Sequence, residues 1–227
     1  MTNLSIFDIA GPVMVGPSSS HTAGACKIGQ FARALFHHTP KKVTFYLHGS
    51  FGEVYKGHAT DRALLAGVMK FMTSDPRLKD SFDIAKEKKL KYEFVVQDLG
   101  SHYHPNTVKI VLEDGKNKME VIGCSVGGGM IEIVKIDDFK VDLKGTAGKF
   151  LSLVACHANK PPILKQLIEQ IEKLGIKVVE INKTHFKDKS LSVLSLDGPR
   201  INLQQVIELE KIPGIDFLRS LSKLQQG

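Results

Sequence analysis

The sequence predicts an α+β protein with two domains, and two observations carry this prediction. The 227 residues exceed the length of one small domain and suffice for two of ordinary size. The last third of the chain shows strand and helix patterns in the order β-α-β-β-α-β, whereas the part before it mixes both element types. We therefore place the first domain at residues 1–146 and the second at residues 147–227.

The C-terminal pattern is that of a ferredoxin-like split unit. A loop at 158–162 leads into its first helix, Gly175 ends that helix, and Asn202 is placed to cap the second. The elements predicted in this domain are strands at 150–157, 176–186, 190–196 and 215–221 and helices at 163–174 and 202–209.

The N-terminal domain combines amphipathic helices with alternating strands. Asp114-Gly115 is a strong hairpin signal between two of the strands. The charged stretch at 135–147 is interpreted as the connection between the domains. The elements predicted before it are helices at 25–36 and 61–72 and strands at 43–47, 94–96, 108–112 and 119–122.

The composition indicates a folded chain with a mild positive charge. Hydrophobic residues make up 42% of the chain and its formal net charge is +7 at pH 7, a balance that could attract nucleic acid, lipid or any anion. The lysines are spread out, there is no Trp, and Phe and Tyr show no stacking pattern of the kind that single-strand binders use. We therefore expect no nucleic-acid partner, and a field that draws in a small carboxylate fits the charge as well.

The chain carries no signal for a membrane or for export. No apolar run approaches the roughly 20 residues that a spanning helix needs. The first residues lack the basic region and the long apolar core of a signal peptide. We expect a cytoplasmic protein with no membrane partner.

The three cysteines, Cys26, Cys124 and Cys156, are widely scattered. They form no disulfide framework and lack the close spacing common in zinc and cluster sites. Three cysteines could in principle hold a cluster with one open iron. Their apolar surroundings favour buried thiols that act as small hydrophobic side chains, so no metal site is predicted in this chain.

The first motif that suggests chemistry is the segment Gly16–Gly24, GPSSSHTAG. Its hydroxyls and histidine, Ser18, Ser19, Ser20, His21 and Thr22, lead directly into a predicted helix. A helix start offers free N–H groups and a partial positive charge, which together with the serines can cradle a carboxylate or phosphate. One Ser or Thr suffices for an ordinary N-cap, so this set exceeds what capping requires.

The second motif, GHATDRA, repeats this pattern with His58 before a helix that Thr60 or Asp61 would cap. Thr and Asp are common caps, so a purely structural role stays open.

The third motif, HPNT, places His104 and Asn106 before a strand. It suits the edge of a site and also an ordinary surface turn, because proline forces an extended or turn conformation on the residue before it.

The fourth motif is SVGGG, which ends in Gly127, Gly128 and Gly129. Consecutive glycines allow close backbone approach and free N–H donors for an anion. The segment lacks the lysine and the glycine spacing of nucleotide-binding loops, so a nucleotide site is rejected. A flexible hinge is the structural alternative.

The four motifs, in this order, resemble the beta chain of the bacterial iron–sulfur L-serine dehydratases. From about residue 148 the chain resembles an ACT domain, a fold that often binds amino acids and regulates attached enzymes. One departure from the dehydratase motifs is Ala59, where the beta chains of that family often have glycine. Another lies in the ACT ligand loop, here Asn159, Pro161 and Pro162, because many members have glycine where Pro162 stands. Proline adds bulk and removes an N–H donor, so a purely structural role for this domain stays open.

The resemblance implies conversion of L-serine to pyruvate and ammonia, with a [4Fe–4S] cluster held by cysteines of a separate alpha subunit. The N-terminal domain would then be the substrate-binding domain, with Ser18 to Thr22 on the substrate carboxylate. Iron can assist departure of the hydroxyl and a histidine can take the Cα proton. His21, His58 and His104 would line the cleft that faces the alpha subunit, and His58 is the candidate base. Further substrate-binding candidates from the motifs are Thr60, Asp61, Asn106, Gly127, Gly128 and Gly129.

Two other functions use the same features. The chain could be a regulatory module that senses serine without catalysis. It could also be an interaction protein whose ACT-like sheet drives homo-association. The resemblance to ACT domains implies such homo-association for each of these functions.

Overall fold

The computed structural model describes residues 14–144 and 151–221. The chain forms two compact units, one built mainly on the residues before the gap at 145–150 and the other mainly on those after it. The predicted border at 146/147 therefore lies outside the described residues. Within the described ranges, no helix combines the length and the apolar character that crossing a membrane requires.

The first unit is a six-stranded mixed sheet with helices. The strand order is β2-β1-β3-β4-β5-β6, in which β1 runs parallel to β2 and antiparallel to β3. The predicted hairpin around Asp114-Gly115 is confirmed as β3–β4. The elements of this unit are α1 Ala25–Phe36, β1 Lys42–Leu47, α2 Ser50–Val54, α3 Thr60–Val68, α4 Ser81–Glu87, β2 Lys91–Val96, β3 Thr107–Glu113, β4 Lys118–Gly127, β5 Met130–Ile136 and β6 Phe139–Lys144.

The helix predicted at 61–72 is four residues too long, because α3 ends at Val68. Lys70 adopts a left-handed conformation with φ of 69°. The backbone N–H groups of Lys70 and Phe71 then bond to the carbonyls of Gly67 and Ala66, the pattern of a Schellman cap. The apolar period continues past this cap because Phe71 folds back and is buried.

The prediction of a simple connection at 135–147 is wrong in its described part. Residues Phe139–Lys144 form strand β6 and extend the sheet. The short helices α2 and α4 were also not predicted, because each is too short for a periodic signal. Strand β5 was not predicted, because the alternation of its buried residues Ile131 and Ile133 shifts at a bulge before Ile136.

Helices α1 and α3 pack against each other at unusually close range. A Cβ on Gly29 would lie 2.5 Å from the carbonyl oxygen of Leu64, and a Cβ on Gly67 would overlap the carbonyl oxygen of Cys26. The two backbones therefore touch at a pair of glycines. This crossing fixes where the N-terminal ends of both helices lie.

The second unit confirms the ferredoxin-like prediction. Its four strands pair in the order β10-β7-β9-β8, and every pairing is antiparallel. Asn202 caps the second helix in a reciprocal capping box with Gln205. The elements are β7 Leu151–Ala158, α5 Pro161–Lys173, β8 Lys177–Phe186, β9 Lys189–Asp197, α6 Leu203–Glu210 and β10 Ile215–Leu221.

Candidate active site at the start of two helices

The first motif forms the entry to α1. Ser18 is extended, and its Oγ accepts a hydrogen bond from the backbone N of His21 at 3.1 Å, so Ser18 caps the segment. Residues Ser19–Gly24 then wind as a π-helical turn that continues into α1. Such wide turns are frequent at functional sites. Ser19 and Ser20, which lie half-buried in this turn, are not needed for the cap.

The His21 ring is held from several sides. Its Nε2 lies 3.2 Å from Ser50 Oγ, and its Nδ1 lies 3.5 Å from Ser18 Oγ. The ring centroid is 5.0 Å from that of His58 and 5.4 Å from that of Phe51, which is fully buried. The first two predicted motifs therefore meet as a pair of neighbouring imidazoles.

Burial and charge both act on the protonation of His21. Desolvation lowers its pKa from the usual 6.5, and a positive His58 nearby would lower it further, while hydrogen bonding to the backbone of Ser50 opposes both effects. His21 is therefore predominantly neutral at pH 7, as a group that accepts a proton must be.

The second motif is tied to the first through its backbone. Thr22, which is fully buried, donates a hydrogen bond from Oγ1 to the carbonyl oxygen of His58 at 3.1 Å. The next residue, Ala59, is left-handed with φ of 56°. Glycine would adopt this conformation more easily than alanine does.

The prediction that Thr60 or Asp61 caps α3 is wrong. The N-cap position belongs to Ala59, which has no side-chain capping bond, and Thr60 is the first helical residue. Asp61 instead accepts from the backbone N of Arg62 at 2.7 Å, and burial raises the pKa of its carboxyl group. The left-handed turn at Ala59 shifts the helix start by one residue, which no periodicity signal encodes.

The third motif packs against the turn that carries Ser50. His104 is exposed, and its Nδ1 accepts from the backbone N of Asn106 at 3.0 Å. The carbonyl oxygen of Pro105 accepts from the backbone N of Phe51 at 3.4 Å, and a Cβ on Gly49 would lie 2.8 Å from the same oxygen. The loop thus packs on the Gly49-Ser50 turn, whose hydroxyl reaches His21.

The fourth motif touches both the first and the third. The backbone N of Ser125 donates to the carbonyl oxygen of Asn106 at 3.0 Å. A Cβ on Gly24 would lie 2.7 Å from Ser125 Cβ and even closer to its Oγ. Gly24 therefore lets the π-helical turn pack directly on β4.

The three glycines that follow form the tip of the β4–β5 hairpin. Gly127, Gly128 and Gly129 have φ values of 110°, 59° and 75°, so the turn requires residues that tolerate positive φ. Lys27 Nζ donates to the carbonyl oxygen of Gly129 at 2.9 Å, and burial lowers the pKa of this lysine. The tip is therefore tethered to α1 rather than being a free hinge.

Three polar atoms around the π-helical turn are buried and have no hydrogen-bond partner among the described residues. They are His58 Nδ1, Thr60 Oγ1 and Ser125 Oγ. Buried polar groups are normally paired, so these atoms are candidates for contact with a small polar ligand.

Comparison with known proteins identifies the family. Residues 5–135 match the family model described as serine dehydratase beta chain. The chain belongs to the serine dehydratase beta chain family. It is 39% identical over 213 residues to the probable L-serine dehydratase, beta chain, of Bacillus subtilis strain 168, which covers 93% of this chain and 94% of that relative. It is 49% identical over 146 residues to the L-serine dehydratase, beta chain, of Peptoniphilus asaccharolyticus. This match covers 64% of this chain and 66% of that relative.

A longer relative and a solved structure extend the comparison. The L-serine dehydratase of Helicobacter pylori strain J99 is 28% identical over 206 residues, which cover 82% of this chain but only 43% of that protein. The ACT domain from GTP pyrophosphokinase of Chlorobium tepidum matches 32% of this chain and 97% of its own, with 16% identity and a TM-score of 0.28.

The three cysteines of this serine dehydratase beta chain are buried thiols. Burial raises the pKa of Cys26 to about 12, and its Sγ lies 3.5 Å from the carbonyl oxygen of Phe71. Burial also raises the pKa of Cys124. Metals bind the thiolate, and within the described ranges no three His, Cys, Asp or Glu side chains are grouped as a metal site would need.

The predicted ACT ligand loop lies at the β7–α5 junction. Asn159 Oδ1 accepts from Lys183 Nζ at 3.0 Å and from Ser190 Oγ at 2.9 Å, so this amide is committed to the unit itself. Pro161 and Pro162 are exposed in the first turn of α5, where proline is well tolerated.

Two residues of the candidate site were not predicted from the sequence. Ser50 contacts His21, and Lys27 holds the glycine turn. Ser50 follows Gly49 directly after strand β1, and a glycine and a hydroxyl at a strand end could have drawn attention to it. Lys27 gave no signal, because a single lysine on a helix is normally solvated.

Proposed function

We propose that this chain is the beta subunit of an L-serine dehydratase that converts L-serine to pyruvate and ammonia. The observation that carries the proposal is the pair of imidazoles, His21 and His58, 5.0 Å apart beside a serine-rich helix start. Elimination needs a group that removes the Cα proton and a site that holds a carboxylate. The imidazole pair can supply the first, and the serine-rich helix start can supply the second.

The substrate carboxylate is assigned to the π-helical turn with Ser18, Ser19, Ser20 and Thr22. Helix starts favour anions through their free N–H groups and their dipole. The buried hydroxyl oxygens of Thr60 and Ser125, which lack partners among the described residues, would bind further polar groups of the amino acid. Asp61, Asn106 and the glycine turn at 127–129 would shape the walls of the pocket.

The proton acceptor is assigned to His58. Its Nδ1 makes no hydrogen bond within the described part of the chain, whereas both ring nitrogens of His21 lie near serine hydroxyls. The buried Nδ1 of His58 is thus left to accept a proton from a bound substrate, and His21 is assigned to orientation. His104 remains a proposed wall of the cleft, linked to His21 through Pro105 and Ser50.

The cofactor is proposed to be a [4Fe–4S] cluster held by an alpha subunit. Cys26 and Cys124 are buried, and Cys26 Sγ lies 3.5 Å from the carbonyl oxygen of Phe71, which fits thiols that pack as small hydrophobic side chains. The Helicobacter pylori relative, more than half of which lies beyond the matched region, has room for both parts in one polypeptide. When bound, such a cluster would polarise the substrate hydroxyl.

The proposal is tested by assaying pyruvate formation from L-serine under anaerobic conditions. We expect no turnover with this chain alone or with an alpha subunit alone. We expect turnover when the two are combined, because the substrate site and the metal would then lie in one complex. L-Alanine, which lacks the leaving hydroxyl, serves as the control substrate.

A serine-sensing module without catalysis is the alternative. It predicts that L-serine binds to this chain, measured by calorimetry, but that the combined chains form no pyruvate. Activity in the combined sample contradicts it.

Homo-association through the ACT-like unit is proposed on the edge strand β8. This strand ends the described sheet and exposes the apolar side chains of Val179 and Ile181. Exposed edges with apolar residues pair readily with a second chain. Antiparallel pairing of two copies about an axis at residue 181 would place Ile181 opposite its own copy, an apolar cross-strand pair.

We expect Ile181→Lys to weaken self-association at least about 10-fold, because it places a charge in the proposed contact. Sedimentation equilibrium measures the dissociation constant. Leu203→Lys is the matched control, since Leu203 is an exposed apolar residue on α6. Equal effects of the two variants would exclude β8 as the contact.

A further inference from the structure

We infer that Ser50 is a positioning residue of the active site, which fixes the orientation and the tautomer of His21. The inference rests on the proposed function, because Ser50 would act through the imidazole pair to which that function is assigned. None of the four motifs contains Ser50. It connects the HPNT loop to the imidazole pair by a continuous set of contacts.

The Gly49-Ser50 turn is rigidly placed. Gly49 has φ of 53° and ψ of −129°, a backbone conformation that favours glycine. Pro105 packs against it so closely that a Cβ on Gly49 would lie 2.8–2.9 Å from the Pro105 backbone. The backbone N of Phe51 also donates to the Pro105 carbonyl oxygen. The position of Ser50 is therefore set by the Pro105 loop as well as by its own short helix.

The hydroxyl of Ser50 lies at the ring nitrogen that Ser18 does not reach. Ser50 Oγ is 3.2 Å from His21 Nε2, and Ser18 Oγ is 3.5 Å from His21 Nδ1. The Ser18 oxygen already accepts from the backbone N of His21. Its own proton is free to go to Nδ1, so we assign the imidazole hydrogen to Nε2, which donates it to Ser50. A fixed partner on one ring nitrogen selects the tautomer of the other.

The orientation of His21 matters because its ring lies beside that of His58. The two centroids are 5.0 Å apart at an interplanar angle of 36°, and Phe51 contacts the His21 ring edge to face at 5.4 Å. If Ser50 lost its hydroxyl, the His21 ring would keep only the backbone of Ser50 on this side and could turn about χ2. The ring of His58 would then lose a fixed neighbour, and misplacement of about 1 Å can cost about 100-fold in rate.

The test combines spectroscopy on this chain with kinetics of the two-chain enzyme. The chain is labelled with ¹⁵N-histidine, and the His21 signals are assigned with a His21→Gln variant. We expect the wild-type chain at pH 8 to show one ring nitrogen protonated and the other not. We expect Ser50→Ala to move both shifts towards the tautomer average, Ser50→Thr to preserve the wild-type pattern, and Ser74→Ala, an exposed serine in a turn, to change nothing.

In the two-chain enzyme we expect Ser50→Ala to lower kcat by about 10- to 100-fold with a smaller change in KM, and Ser50→Thr to restore most of the loss. Unchanged His21 shifts in Ser50→Ala would overturn the inference, whatever the kinetics. A tautomer change in a chain that gives no activity with any alpha subunit would support the positioning contact and reject the proposed function, so the two failures are distinguishable.

Discussion

His58→Ala, combined with a wild-type alpha subunit, is expected to lower kcat for L-serine by about 10²- to 10⁴-fold, the usual contribution of a general acid or base. KM should change little, because the carboxylate is assigned to the π-helical turn and not to this imidazole. Pyruvate formation under saturating serine measures the effect. Turnover close to wild type would remove His58 from the mechanism.

His102→Ala is the matched control, because His102 is an exposed histidine next to the HPNT loop. We expect it to keep wild-type kcat. The His58 variant should also raise the pKa of His21, since a positive His58 is one of the causes that lower it and burial is the larger cause. An NMR titration of the His21 ring in the chain alone detects this rise, and a fall would contradict the proximity of the two rings.

The fold was most predictable where local signals and tertiary packing agree. In the second unit, Gly175 and the Asn202 capping box mark helix ends, and strand lengths match within about two residues. In the first unit, α1 was predicted at its observed bounds because its apolar period is uninterrupted. Strand β6 was not predicted, although Phe139, Val141 and Leu143 alternate with charged residues, because the charge of this stretch also suits a connection between domains.

The candidate site was only partly predictable. The hydroxyls and histidines stood out because they exceed what a cap needs, and His21 and His58 do lie together. Ser50 and Lys27 act through distant partners, 29 and 102 residues away in sequence. Contacts of that kind depend on the tertiary arrangement, so no local pattern reveals them. The roles assigned to His104 and to the glycine turn stay predictions.

Gly67→Ala is the stability change with the largest expected effect. In an exposed helix this substitution would stabilise by about 1 kcal/mol, because alanine has the higher helix propensity. Here the new methyl group would overlap the carbonyl oxygen of Cys26 and lie 2.9 Å from the backbone N of Gln30. Both are backbone atoms that cannot turn aside, so α1 and α3 must move apart. We expect a net loss of at least about 2 kcal/mol, in the range of overpacked cores.

Protection of the buried Cys26 thiol against a labelling reagent in increasing urea, read peptide by peptide, measures the opening of this helix pair. Gly57→Ala is the control, because a Cβ there would meet only the Val54 carbonyl oxygen at 3.7 Å. Since His21 and His58 precede the two helices, separating the helices should also separate the imidazoles and lower kcat even where the variant is folded. A Gly67→Ala chain as stable as wild type would mean that this crossing does not set the geometry of the site.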